Sequence, residues 1–214
     1  MAARPAHEPP ADCRLCPRLA AFRQDNREAF PDFHNDPVAA FGPIAARMLV
    51  VGLAPGLKGA NRTGRPFTGD YAGDLLYPSL TAAGFAEGDY AARADDGLQL
   101  VDCRITNAVR CVPPKNKPTP AEAANCRPFL IAEIDAMPQL RALLALGRIA
   151  HEAVLRTFGL KLAGHPFVHG AIHELPNGLL LADSYHCSRY NVNTGRLTAG
   201  MFEAVLEGLR SRMA

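Results

Sequence analysis

The chain has 214 residues, of which 48% are hydrophobic, and a formal net charge of +2. This length fills one α/β domain without demanding a second, and so small a net charge means any nucleic-acid surface must come from local clusters of Lys and Arg. No apolar run approaches the ~18 residues that span a bilayer. The opening MAARPAHEPPAD is polar and proline-rich, without the apolar centre of a signal peptide, so a soluble, cytoplasmic, monomeric protein with reduced thiols is expected.

Residues 1–12 read as a flexible tail ahead of a single domain over 13–214. A helical pattern occupies 17–30. Met48–Val51 ends at Gly52 as a short buried strand, and a glycine-rich loop follows. Asp74 opens a helix that runs to Ala83. Leu100–Thr106 suits a second strand leading into Asn107. A helix over 120–136 begins on Pro120, a residue favoured in the first turn. Ala142–Leu146 is a third strand, Arg148–Phe158 a helix, Leu179–Ala182 a fourth strand and Leu197–Arg210 a closing helix. Strands alternating with helices predict a three-layer α/β/α fold around a four-stranded parallel sheet. Ligands of such sheets bind beyond the carboxyl ends of the strands, where Gly52, Asn107 and His186 all fall.

Four of the six cysteines pair as C-x2-C (Cys13, Cys16) and C-x14-C (Cys111, Cys126). Four thiolates of this kind can enclose zinc or an iron–sulfur cluster, and spacing alone does not choose between them. Such a site would tie the N-terminal segment to the proline- and lysine-rich loop PPKNKPTPAEAAN, whose Lys115 and Lys117 add basic charge. Cys103 reads as a packing residue in its strand.

The loop VGLAPGLKGANRTGRPFTGD is neither a Walker A loop nor G-x-G-x-x-G. Its glycines let backbone approach a ligand closely. Phe67 offers a ring for stacking on a planar base, and Lys58, Arg62 and Arg65 offer charge to phosphates. The second polar segment, SYHCSRYNVNTGRLT, places His186 just past a strand, where it can donate to developing negative charge.

Taken together, GLAPG, NRTGRPFTGD, TNAVRC, SYHCSRYNVNTGRLT and the cysteine spacing resemble the family 5, or B-type, uracil-DNA glycosylases over roughly residues 13–210. The resemblance implies a DNA-repair enzyme that hydrolyses the N-glycosidic bond of uracil and leaves an abasic site, without lyase activity. It implies a [4Fe–4S] cluster on Cys13, Cys16, Cys111 and Cys126. Gly52, Ala54, Phe67 and Asn107 would bind the base, with Phe67 stacking and Asn107 reading its polar edge. His186 would stabilise the leaving anion, and Asp70 would orient water or the cationic sugar. An aspartate in that position also suits a helix cap. Arg62, Arg65, Ser188, Arg189, Tyr190, Asn191 and Arg196 would contact DNA, with Arg189 or Tyr190 filling the gap left by the extruded base.

Three positions depart from the pattern expected of such enzymes. Leu53 stands where many place an acid or amide, which implies a looser pocket and activity on other deaminated bases such as hypoxanthine. Cys187 stands in place of proline after His186, and Tyr71, after Asp70, is large enough to narrow the pocket. A competing class is a non-catalytic, metal-stapled module that binds nucleic acid through the same basic loops.

Overall fold

A computed structural model describes residues 5–213. In chain order the elements are α1 (Pro17–Ala29), β1 (Met48–Gly52), α2 (Ala60–Thr63), α3 (Tyr71–Ala82), β2 (Ala86–Glu87), β3 (Gln99–Leu100), β4 (Cys103–Asn107), α4 (Pro120–Asp135), β5 (Ala142–Leu146), α5 (Arg148–Thr157), β6 (Ile172–Glu174), β7 (Leu180–Ser184), α6 (Arg189–Asn193) and α7 (Ala199–Met213).

The central sheet has the order β4-β1-β5-β7-β6. Its first four strands are parallel, as expected, and β6 adds an antiparallel edge. Strand alternation divides the core into two layers. Met48 and Val50 face α3 and α7, packing with Leu76, Leu80, Phe202 and Leu206. Leu49 and Val51 face the other way, toward Leu130, Val154 and Leu155 of α4 and α5. The near-continuous apolar runs of β1 and β5, buried at every position, are what a strand covered on both faces requires.

Several expectations need correction. The run Leu100–Thr106 is not one strand: Asp102 adopts φ 53° and breaks it. Leu100 consequently belongs to a small antiparallel pair with β2, while Cys103 opens β4 in the core. Helix α3 starts at Tyr71 rather than Asp74, because Asp70 caps it, its side chain accepting from Ala72 N at 3.1 Å. Of the expected flexible tail, residues 5–12 are described and the first four positions lie outside the described residues. Glu8 is buried, accepting from Ala40 N at 2.8 Å and pairing with Arg110 at 3.1 Å. Arg110 also pairs with Glu133 of α4 at 2.7 Å. A buried ion network of this kind fixes the segment in place, since removing one partner strands the other charge.

Candidate active site

The site grows from the register of two strands. Gly52 and Asn107 are paired neighbours at the carboxyl ends of β1 and β4. A Cβ at position 52 would run into Asn107 Oδ1 and the Phe67 ring, so glycine there is what lets amide and ring converge. Phe67 is buried and holds φ 52°, a left-handed conformation that costs a bulky side chain energy and persists only where its surroundings enforce it. The His186 ring sits 5.9 Å from it, tilted by 37°. Beyond the strand ends these groups, with Ala54, Asp70 and Ser188, line a single cavity of about 380 Å³. Of the residues predicted to bind the base, Ala54, Phe67 and Asn107 line it and Gly52 backs it.

The electrostatics divide the labour. Burial pushes the Asp70 carboxyl above the usual carboxylate range, opposed by backbone N–H groups of Gly73 and Ala72 and reinforced by the charge of Asp74. While Oδ1 caps α3, Oδ2 faces the glycine loop: a Cβ at Gly59 would collide with it, and one at Gly56 would lie 3.2 Å away. Burial lowers the His186 pKa, favouring the neutral imidazole. Among the described residues neither the His186 ring nor the Asn107 amide has a hydrogen-bond partner, although Asn107 is only 3% exposed. Asn107 is buried and His186 half-buried, and both line the cavity with polar groups free to meet a ligand.

The residues expected to meet DNA separate into two sets. Arg62, Arg189, Tyr190 and Arg196 are exposed, and Tyr190 reaches 70% exposure. Arg189 lies over the Tyr71 ring at 5.2 Å and Arg196 over Tyr185 at 4.5 Å. Ser188 lines the cavity and caps α6, accepting from Asn191 N at 3.3 Å. Arg65 is a correction. It is buried, forks onto Asp96 with two 2.7 Å hydrogen bonds and lies against the rings of Phe41, Tyr77 and Tyr90. That guanidinium is a core strut, holding the Asp96 carboxyl well below the carboxylate range, and no phosphate can reach it. Asn191 is half-buried, and its amide donates to the His186 carbonyl oxygen at 2.9 Å. Tyr71 does not narrow the cavity; its hydroxyl donates to Asn193 Oδ1 at 3.1 Å, joining α3 to α6.

Of the cavity residues that sequence did not name as base contacts, two matter most to its shape. Leu53 adds an apolar wall, and Asn116 enters from the loop between Cys111 and Cys126. Lys115 and Asn116 both hold φ 55°. The only sequence signal for Asn116 is that Cys111 and Cys126 bracket its loop, which says nothing about where the loop points.

The cysteines themselves fit a metal centre. Cys13, Cys16, Cys111 and Cys126 line one cavity with Leu19, Val109 and Phe129, and all four are free thiols. Burial pushes the thiol of Cys16 up, that of Cys111 to about 11 and that of Cys126 to about 12. Three donors nonetheless aim at the sulfurs: Arg23 Nη1 at 3.5 Å from Cys111, Arg110 N at 3.4 Å from Cys126 and Asn125 Nδ2 at 3.7 Å from Cys16. Such donors suit thiolates held by a metal, and Arg23 Nε is buried beside them without a partner. Cys187 lies outside this group, fully buried beneath His186, its thiol pushed by burial to about 12.

Known proteins resemble this chain over most of its length. The family model described as the uracil DNA glycosylase superfamily matches residues 39–210. The chain is 50% identical over 199 residues to the Type-5 uracil-DNA glycosylase of Thermus thermophilus, covering 91% of this chain and 90% of the relative. It is 44% identical over 201 residues to the Type-5 enzyme of Mycobacterium bovis, covering 90% and 75%. With the Type-5 enzyme of Pyrobaculum aerophilum it shares 41% identity over 199 residues, covering 91% and 86%.

Proposed function

The chain belongs to the uracil DNA glycosylase superfamily, and from that premise we propose that it excises uracil from DNA by hydrolysis, leaving an abasic site. It works as a monomer in the cytoplasm. The observation that carries this reading is the pair of unpartnered polar groups, the Asn107 amide and the His186 ring, in the same cavity as Phe67 and Asp70.

The mechanism follows from those four side chains. The target nucleotide leaves the stack and its base enters the cavity, where the Phe67 ring covers one face. The Asn107 amide donates to uracil O4 and accepts from N3–H; cytosine inverts both groups and is left mispaired. The oxygen of a water held by Asp70 bonds to C1′ as the C1′–N1 bond breaks, and a water proton passes to the carboxylate. The bond pair departs with uracil, whose O2 takes a hydrogen bond from the neutral His186 ring. Neutral imidazole donates one N–H without needing a net charge in a buried site. Leu53 supplies no acid or amide, so the apolar wall it forms selects bases loosely, and hypoxanthine is a second substrate.

Cys13, Cys16, Cys111 and Cys126 would hold a [4Fe–4S] cluster, whose chemistry here is structural cross-linking of α1 to the loop that carries Asn116. Glycosidic hydrolysis moves no electrons. Exposed Arg62, Arg189 and Arg196 would contact phosphates, and Tyr190 or Arg189 would fill the vacated space in the duplex.

The test is base release from labelled duplexes carrying one U·G or one I·C pair, scored as alkali-sensitive cleavage, with His186→Ala alongside. Release of uracil that collapses in the variant is expected. An intact U·G duplex with folded, iron-loaded protein overturns the uracil reading, and an intact I·C duplex overturns the hypoxanthine extension alone.

A further inference from the structure

Apart from the cavity and the cysteines, the described residues hold two clusters of ligating side chains; in one, His7, Glu8 and Glu133, both carboxylates are already paired with Arg104 and Arg110, and the other lies against the sheet. His151 on α5, His173 on β6 and Asp183 on β7 bring three ligand atoms within 4.8 Å of one another. His151 Nδ1 lies 2.7 Å from Asp183 Oδ1, and His173 Nε2 lies 3.0 Å from Oδ2. The other nitrogen of His151, Nε2, lies 2.8 Å from the backbone oxygen of His165. Both nitrogens of a buried imidazole therefore face acceptors. A neutral ring has one N–H and satisfies one of them. Satisfying both takes either an extra proton or a cation placed between the ring and the carboxylate.

We propose that His151, His173 and Asp183 form a structural site for one divalent transition metal of the zinc class. Two imidazole nitrogens and a carboxylate oxygen are a donor set that zinc accepts, and the borderline-soft ion distinguishes it from calcium or magnesium. His151 binds through Nδ1 and keeps Nε2–H on the His165 carbonyl, the outer contact that metal-bound histidines normally make. The separations of 2.7 and 3.0 Å are proton-bridged distances; around zinc, with bonds near ~2.0 Å, they open to roughly 3.3 Å. Small rotations of two rings suffice. The half-buried His165 ring, centred 5.8 Å from that of His173, is the nearest candidate for a fourth ligand.

The metal would clip α5, β6 and β7 together on the flank of the sheet. None of its three ligands lines the catalytic cavity, so the site takes no part in hydrolysis. It does brace the segment that leads to His186, three residues beyond Asp183. The antiparallel β6 is only three residues long, and a bond through His173 would anchor a strand with little ladder of its own.

The experiment uses full-length protein purified with its iron in place, equilibrated with ZnCl2, passed over a chelating resin and assayed for zinc and iron by mass spectrometry. Wild type is expected to retain about one zinc per chain, with a melting temperature raised by a few degrees. His173→Gln, which keeps an N–H for Asp183 but removes the ring, is expected to lose the zinc and the thermal shift while keeping its iron and its absorbance near ~400 nm. Unchanged iron separates this site from zinc lodged on the cysteines. Wild type that retains no zinc, or equal zinc in the variant, overturns the proposal.

Discussion

The side-chain amide of Asn191 donates to the backbone carbonyl of His186 over 2.9 Å, fastening the first turn of α6 to the residue that precedes it by five positions. Cys187 follows His186, so no proline ring restricts the backbone there, and this cross-brace does the restraining instead. The same turn is closed by Ser188, whose Oγ accepts from Asn191 N at 3.3 Å. Asn191→Ala removes one hydrogen bond worth about 1 kcal/mol. If that bond aims the histidine, the single-turnover rate of uracil release falls about fivefold while substrate affinity holds. A rate equal to wild type with weaker DNA binding would instead make Asn191 a DNA contact.

Asp70 has two duties that substitution can separate. Asn caps helices about as well as Asp, so Asp70→Asn keeps the bond from Ala72 N and removes only the charge. Its melting temperature should stay within a few degrees of wild type while the single-turnover rate falls at least ~100-fold. Asp70→Ala should lose the same activity and about 1 kcal/mol of stability besides. Wild-type rates in Asp70→Asn would reduce this residue to a cap.

The two catalytic groups are shifted toward each other, which fixes the pH profile. Burial raises Asp70 from its ordinary value near ~4 and lowers His186 from near ~6.5. Activity needs the carboxylate ionised and the imidazole neutral, so the rate should rise through the interval between those values and be flat from about pH 7 upward. Stability carries opposite signs from the two groups. The folded state holds the Asp70 proton more tightly, so its contribution falls as pH rises through the window above the ordinary carboxylate value. The folded state resists protonating His186, so that contribution is full above ~6.5 and is lost as pH falls through the window below it. Single-turnover rates and melting temperatures from pH 4 to 8, with His186→Gln alongside, check both; a rate limb at pH 7 or above would sink this assignment.

Sequence carried β1 and β5 because each is a short run of apolar residues bounded by turn chemistry, and burial on both faces leaves no alternation to confuse. It missed β6, whose Ile172-His173-Glu174 is brief and mostly polar, and it ran β3 into β4 because an apolar run does not announce a left-handed Asp102. The start of α3 slipped to Asp74 because two aspartates four residues apart both suit a helix beginning. Asn107 and His186 were legible because their motifs lie where strands end, Phe67 from its glycine-rich loop, and Asp70 only through the family resemblance. Long-range pairing was not. Nothing in the loop around Arg65 points to Asp96, thirty-one positions away, and nothing around Glu8 points to Arg110.

The cysteine site makes a prediction about a loop rather than about electrons. Cys111 and Cys126 bracket the segment that brings Asn116 to the cavity, and Arg18 fastens α1 to the same region through Glu122 at 2.6 Å. Cys126→Ser should lower iron content and reduce the melting temperature by at least ~5 °C. Activity should fall in step with iron, and oxidising or reducing the intact centre should leave the hydrolysis rate unchanged. A variant that loses iron yet keeps stability and rate would remove the structural role.

Arg65 and the exposed arginines should behave as opposites. Arg65 is 5% and Asp96 0% exposed at the side chain, so Arg65→Ala leaves a buried carboxylate without its fork and three aromatic rings without their cation. Breaking one side of such a pair costs about 3–5 kcal/mol. Arg62→Ala and Arg196→Ala, each on the surface, should melt like wild type but reduce the slope of log affinity against log salt by about one apiece. Thermal melts and DNA binding at several salt concentrations, run on all three variants, separate a strut from a phosphate contact. An Arg65→Ala protein as stable as wild type, with a reduced salt slope, would return Arg65 to the DNA-binding surface.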